Sequence, residues 1–383
     1  MRIYFDHNAT TPMHPRVLEA LTSQGATLFG NASSVHQEGR MARRALEEAR
    51  EQVARLLDAQ PKEIILTSGG TESNNAALYG AIFHFSGDCS HIVTTSIEHP
   101  SVLGPCRDLA SRGSRLTLIA PGPDGVVAAD SILHAITPET RLVSMMLANN
   151  ETGVLQPVAE VARFCRERGI HMHCDAVQAV GKIPVSVRDL GVDSLGLSGH
   201  KLYGPKGIGA LYVREGVTLH PHQIGGTQER RRRAGTENVP LAIALGVAAE
   251  IALQESDQNE RVARLRDQME EEILAEFPDV RINGGAAPRL PNTSSVLLPG
   301  CDAESMVIGL DLEGVAVSSG SACHSGRVEA SHVLVDMGLS DEEARSCIRV
   351  SLGRSSRGDE TETLVRLLKR LVPMNRQRGA LAV

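Results

Sequence analysis

His171-Met172-His173-Cys174-Asp175-Ala176-Val177-Gln178 and, further on, Ser194-Leu195-Gly196-Leu197-Ser198-Gly199-His200-Lys201 are two short strand candidates, each followed at once by polar, chemically capable residues. Working outward, the same theme repeats. Ile64-Ile65-Leu66-Thr67, Ile92-Val93-Thr94-Thr95, Leu116-Thr117-Leu118-Ile119, Leu142 to Leu147 and Ala210-Leu211-Tyr212-Val213 are strand-like runs separated by helical patterns. A helix is predicted from about Ser73, and another over 157–168, where Val158, Val161, Ala162 and Cys165 fall at helical spacing. This alternation predicts an α/β fold with a mostly parallel sheet flanked by helices on both faces. In such a sheet the functional loops gather at the carboxyl ends of the strands.

Beyond Pro240 the pattern changes. A long apolar helix and a charged one (about Ser256 to Phe277) precede strands over 294–298, 315–317 and 348–352 and a last helix over about 359–371. The expected division is a large domain over 13–256 and a smaller α+β domain formed by 1–12 and 257–383.

At 383 residues, with 42% hydrophobic and 22% charged residues, the chain has the length and balance of a two-domain globular enzyme. With no Trp and few aromatics, its core must rest on Leu, Val, Ile and Ala. The net charge of −7 argues against nucleic acid as a direct partner. Met1 to His7 has no apolar signal core, and the longest apolar stretch, 239–253, is too short to span a bilayer. Seven cysteines without a CxxC pair fit a reducing compartment, so the expectation is a cytoplasmic protein with no membrane partner and no metal site.

The motifs define a chemistry. A pyridoxal phosphate (PLP) site needs an acid for the ring nitrogen, a donor for the ring oxygen and a lysine for the aldehyde. Asp175 after a strand can keep a pyridine nitrogen protonated and so make the ring an electron sink. Gln178 can donate to the ring oxygen. Lys201, if partly deprotonated, can form the Schiff base, and Ser198 and His200 can point at a phosphate. Singly, Asp175 reads as well as a strand-end acid and Lys201 as a solvated lysine; together within 175–201 they favour a site. Gly69-Gly70-Thr71 is either a tight strand-to-helix turn or, with Gly70 and Thr71, a phosphate-binding helix start. His99 in Glu98-His99-Pro100 can stack on a ring and move protons, or simply open a helix. Asn150 also follows a strand and can face a ligand. Arg349 can grip a carboxylate, though an ion pair within the fold is the commoner use. Cys323 lies in Ser318-Ser319-Gly320-Ser321-Ala322-Cys323-His324-Ser325-Gly326, a poor helix and a poor strand, where a thiol would be mobile and exposed. Cys165 and Cys174 read as core residues.

Asp6-His7-Asn8-Ala9-Thr10-Thr11-Pro12, Gly30 to Ser34, Thr67 to Asn74, Asn149 to Gly153, Ser198 to Lys201, Arg233 to Asn238 and Ser318 to Cys323 occur in one order. In these the chain resembles the cysteine desulfurases of the NifS/IscS-like group, class-V aminotransferase relatives with the fold-type I PLP architecture, from about Tyr4 to Arg354. The resemblance implies a homodimer with PLP on Lys201, Asp175 at the ring nitrogen, Gln178 at the ring oxygen, and His99 stacked on the ring. It implies a phosphate held by Gly70, Thr71, Ser198 and His200 and by Thr236 of the other subunit. Asn150 and Arg349 would bind substrate, with Asn31 at the entrance. The implied reaction removes sulfur from L-cysteine, leaving alanine and a persulfide on Cys323, for a sulfur-acceptor protein such as an iron–sulfur scaffold. Thr227, Arg231 and His324 depart from the group's pattern, and the tail after Arg354 reads as short. A selenocysteine lyase or other class-V lyase or aminotransferase would also keep Lys201 and Asp175, without needing Cys323. A non-catalytic sulfur carrier or regulatory scaffold that has kept the fold would not need Lys201, and the intact Lys201 argues against it.

Overall fold

The computed structural model describes residues 2–84, 90–319, 323–324, 327–328 and 330–381. Seven strands form its main sheet: β1 (Ile64–Thr67), β2 (His91–Thr95), β3 (Arg115–Ile119), β4 (Thr140–Met146), β5 (His171–Asp175), β6 (Ser194–Ser198) and β7 (Gly209–Val213). Their order across the sheet is β1-β7-β6-β5-β4-β2-β3. Only β7 runs antiparallel to its neighbours.

Strand alternation sorts the core onto two faces. Ile64, Leu66, Val93, Val143, Ala210 and Tyr212 join one hydrophobic cluster, with the helices Gln37–Leu56, Val158–Glu167 and Val239–Gln254. The intervening Ile65, Ile92, Leu142 and Leu211 turn to the helices Gly70–His84 and Pro100–Ser111. Every residue of β1, β2, β5, β6 and β7 is buried, as a sheet covered on both faces requires, while the edge strand β3 is partly exposed. The apolar stretch after residue 238 is a buried helix, started by the Asn238 side chain accepting from Leu241 N at 3.2 Å and by Pro240 in its first turn. Gly246 lets it lie close to Gln37–Leu56, since a Cβ there would meet Ala49 Cα at 2.8 Å.

A second cluster gathers Ile3 and Phe5 with Val262, Ile273, Val296, Leu310, Ile348, Leu364 and Val372. It is enclosed by an antiparallel sheet of Cys347–Ser351, Thr293–Leu297 and Arg281–Ile282, and by the helices Gln258–Glu276, Ala303–Leu312 and Gly358–Leu381. The amino-terminal strand Ile3–Tyr4 pairs in parallel with Val315–Ala316. Among the described residues no single helix is long and apolar enough to cross a membrane.

Three expectations need correction. The helix expected from Ser73 begins at Gly70, so Gly70 and Thr71 belong to its first turn. The last helix runs past Leu371 to Leu381, through an exposed Pro373. The cysteine segment, expected to be a poor strand, includes an antiparallel pairing of Cys323–His324 with Arg327–Val328. Two residue pairs suffice for that, with no long run of strand-forming residues. The Cys323 and His324 side chains lie outside the described residues.

The helix Gln37–Leu56 is locked to the sheet by a buried ion pair. Arg50 donates to both Glu229 carboxylate oxygens at 2.7 and 2.9 Å and to Ile64 O at 2.8 Å, and Glu229 also accepts from Leu66 N at 3.1 Å. Removing one partner strands the other charge in the core. Glu229→Ala should therefore cost about 3–5 kcal/mol in chemical denaturation, whereas Lys62→Ala, which removes an exposed pair with Glu215, should cost under about 1 kcal/mol.

Candidate active site

Five of the strands that point the same way deliver residues to one cavity of about 270 Å³ at their carboxyl ends. Ordered across the sheet, Gly70 and Thr71 follow β1, Ser198, His200 and Lys201 come from β6, and Asp175 and Gln178 from β5. Asn150 follows β4, and His99 follows β2. Those nine residues are the ones the sequence singled out around the strand ends. Met146, Ala148, Ser101 and Val177 complete the walls.

The first end is built for an anion. Gly70 and Thr71 open a fifteen-residue helix, whose first N–H groups have no helical partner. Gly69 has φ of +149°, a conformation L side chains rarely adopt, and a Cβ on Gly70 would strike Val177 Cγ2 at 2.6 Å. The turn is further tied by Ser68 N donating to Glu72 at 2.7 Å, while Glu72 accepts from Arg233 Nε at 2.8 Å. His200 is kept neutral, pushed down to about 4 by burial and then by Lys201 and Lys206.

Lys201 Nζ donates to the backbone oxygens of Asn8 and Ala9 at 2.5 and 2.7 Å. Burial, and next the Arg349 charge, lower its pKa to about 8, which gives a substantial free-amine fraction near neutral pH. Asp175 is buried, and burial raises its pKa. Opposing that, Oδ1 accepts from Val177 N at 2.9 Å and Oδ2 from Asn74 Nδ2 at 2.7 Å. Gln178 donates from Nε2 to Asn8 O at 3.0 Å, and its Oε1 accepts from Lys182 Nζ at 2.7 Å. Lys182 itself is buried, which pushes its ammonium well below the usual range.

His99 fulfils both of its sequence readings. It caps the helix Pro100–Ser111, its Nδ1 accepting from Ser101 N at 3.1 Å, and it lines the cavity. Just before it, Glu98 is wholly buried. Its Oε1 accepts from Thr95 Oγ1 at 2.7 Å and Met146 N at 2.8 Å, and burial pushes its pKa up to about 8.

The other expected residues lie elsewhere. Arg349 donates to Asp6 Oδ1 at 2.8 Å and to Asn150 O at 3.1 Å, so it adjoins the cavity through Asn150 while engaged in the ion pair. Thr236 lines a separate cavity with Ser68, Ile208 and Arg233. Asn31 is exposed, its Oδ1 accepting from Ser33 N at 2.9 Å. The segment bearing Cys323 is anchored beside the cavity at both ends. Ser318 and Arg349 exchange backbone hydrogen bonds at 3.1 and 2.7 Å, and Ser331 Oγ donates to the buried Glu151 at 2.5 Å. Of the other cysteines, Cys106, Cys165, Cys174, Cys301 and Cys347 are all buried free thiols, and burial raises the pKa of each. Cys89 lies outside the described residues.

Sequence reasoning missed Asn8, Asn74, Ser101 and Lys182. Asn74 was within reach, because it sits one helical turn after Gly70 and so on the same face. Asn8 carried no signal beyond its motif, and Lys182 reads as any lysine.

The residues fit PLP. Anion donors, an amine and a buried carboxylate occur in that order across the sheet, and a flat imidazole lines the same cavity. The class-V aminotransferase profile matches residues 3–364. The cysteine desulfurase IscS of Dictyoglomus turgidum is 44% identical over 97% of this chain and 94% of its own length. A solved NifS-like protein superposes with a TM-score of 0.90 at 35% identity, covering 98% of this chain and all of that one. A solved SspA in complex with cysteine gives 0.81 at 38% identity, over 92% and 99% of the two chains. With profile, sequence and backbone in agreement along nearly the full length, the chain belongs to the class-V aminotransferase family, on its cysteine desulfurase branch.

Proposed function

We propose that this protein is a PLP-dependent cysteine desulfurase that converts L-cysteine to L-alanine, leaves a persulfide on Cys323 and passes that sulfur to an acceptor protein. The observation that carries the reading is the meeting of Asp175, Lys201 and His99 in one cavity beside the two anchors of the Cys323 segment. Lys201 would hold the cofactor aldehyde, with Asp175 as the acid for the ring nitrogen and Gln178 as the donor for the ring oxygen. His99 would stack on the ring, and Gly70, Thr71, Ser198 and His200 would hold the phosphate. When bound, PLP supplies an electron sink for charge left at the substrate Cα.

The chain's own groups do the rest. Lys201 Nζ, once freed by the substrate amine, accepts the Cα proton, a task suited to an amine titrating near 8. Asn150 and Arg349 receive the substrate carboxylate, Arg349 exchanging its Asp6 partner for it, and Asn31 stands at the entrance. The Cys323 thiolate attacks the substrate sulfur. The S–S bond forms as the Cβ–S bond breaks, and the electron pair and a proton end on Cβ. Cysteine and a thiol thus give alanine and a persulfide with no outside oxidant.

We read the molecule as a homodimer in which Thr236 completes the phosphate site of the other subunit. The separation of Thr236 from Lys201 within one chain and the exposure of Phe29, Val35 and Ile224 support this. The larger unit, 13–256, would carry the cofactor, and the smaller one, 1–12 with 257–383, the cysteine segment. An iron–sulfur scaffold suits the acceptor role, and the free thiols suit the reducing cytoplasm.

The direct test is anaerobic incubation with L-cysteine and a reductant. Wild type should give equal amounts of alanine and sulfide, and Cys323→Ser neither; a fully active Cys323→Ser would refute the assignment. Alkylation of the native protein, mapped by mass spectrometry, should modify Cys323 and spare Cys106, Cys165, Cys174, Cys301 and Cys347 until denaturant is added. Because the Lys201 pKa is lowered to about 8, its free amine grows as pH rises. Rebinding of PLP to cofactor-stripped protein, followed by absorbance, should accelerate with pH and level off above about 8.

A further inference from the structure

Strand alternation places His171, His173 and Asp175 in a row on the face of β5 covered by the helix Gly70–His84. Register sets Ser194 of β6 beside His173, and Gly196 beside Asp175. Asn74 comes down from the helix onto Gly196, where a Cβ would strike its Oδ1 at 2.6 Å. All of these side chains are buried.

With Asp175 as an ionised carboxylate, the hydrogen bonds take one consistent direction. A carboxylate only accepts, so the Asn74 atom 2.7 Å from Asp175 Oδ2 is its Nδ2. The second N–H of that amide goes to Ser101 Oγ at 2.9 Å. Asn74 Oδ1, which can only accept, then requires a proton on His173 Nε2, at 3.1 Å. Neutral His173 must therefore accept at Nδ1, 2.9 Å from Ser194 Oγ, and Ser194 Oγ accepts in turn from His171 Nε2 at 2.8 Å. On the other branch, Ser101 N–H already fixes His99 Nδ1 as an acceptor, so Ser101 Oγ donates to it at 2.8 Å. Burial pushes His171 to about 4 and His173 to about 3, in keeping with neutral rings.

We propose that Asn74 is a positioning residue for the reaction, with His173 as its support: the oriented amide holds Asp175 as an ionised acceptor for the cofactor ring nitrogen and turns the Ser101 hydroxyl toward His99. The inference rests on the PLP reading above. His173 does not line the cavity, so its influence on the ring runs through Asn74.

The test compares holoenzymes of wild type, Asn74→Leu, His173→Leu and His173→Gln. The readouts are the PLP dissociation constant, the ring-nitrogen resonance of bound ¹⁵N-PLP and the thermal midpoint. Glutamine can donate to Asn74 and accept from Ser194, so it is the conservative replacement. Asn74→Leu should weaken PLP binding about 10- to 100-fold, because it orphans a buried acceptor. It should also move the ¹⁵N resonance toward the unprotonated ring. His173→Leu should move it in the same direction by less, and His173→Gln should restore it. A His173→Leu enzyme with wild-type resonance and affinity, or one that loses only thermal stability, overturns the inference. So does failure of His173→Gln to restore the resonance. Histidine ¹⁵N spectra of the wild-type holoenzyme give a check that needs no variant to fold. The proton of His173 should sit on Nε2; a charged ring, or a proton on Nδ1, overturns the proposal. A wild-type protein that takes up no PLP at all overturns the cofactor reading, and this inference with it. Intact PLP binding with an unaffected His173→Leu overturns this inference alone.

Discussion

The side chain and backbone of Asn8 hold the site together. Its backbone oxygen receives Lys201 and Gln178, and its Oδ1 receives Lys182 and Asn292 at 2.8 and 3.0 Å. Its Nδ2 donates to Asn150 O and Thr293 Oγ1, and its N–H donates to Ser351 Oγ. One buried amide residue thus joins the lysine turn after β6, the loop after β4, and the central strand and one edge strand of the smaller sheet. A buried polar network is stabilising only when each member is satisfied, so the register of the amino-terminal strand is tied to the placement of the lysine.

The same economy governs charge around the cavity. Burial pushes Asp175 and Glu98 toward their acid forms and Lys201 and Lys182 toward their free amines. Each is answered by specific neighbours: amide donors for Asp175, Thr95 Oγ1 and Met146 N at one oxygen of Glu98, backbone carbonyls for Lys201, and Asn8 with Gln178 for Lys182. The result is a set of ionisable groups whose states are set by partners placed on different strands. A site of this kind depends on the sheet register far more than on any single loop.

Much of this was legible beforehand. All seven main strands, their alternation with helices and nine cavity residues follow from short buried runs that end in polar residues, a signal that survives in one sequence. Helix ends were less legible. Gly70 and Thr71 are poor helix formers, yet they start a helix because the turn at Gly69 and the Glu72 side chain supply what their own propensities lack. Asn8, Lys182 and His173 were invisible for a different reason. Their importance lies in partners on other elements, 99 residues away for His173 with Asn74 and 174 for Lys182 with Asn8, and no local pattern encodes those distances. Arg349 had been weighed between ion pair and ligand grip, and its bond to Asp6 with a second to Asn150 shows why a sequence cannot separate the two.

The anchors of the cysteine segment carry one more consequence. Ser318 is pinned to Arg349, and Cys323 follows it by five residues. Even fully drawn out, five residues span only about 18 Å. On the reading proposed above, the chain length from Ser318 to Cys323 sets the greatest distance from that anchor at which sulfur could be handed over. On the same reading, an acceptor would have to bring its own receiving atom inside that distance. Selection of the recipient thus becomes a question of which surfaces can approach the mouth of the cavity.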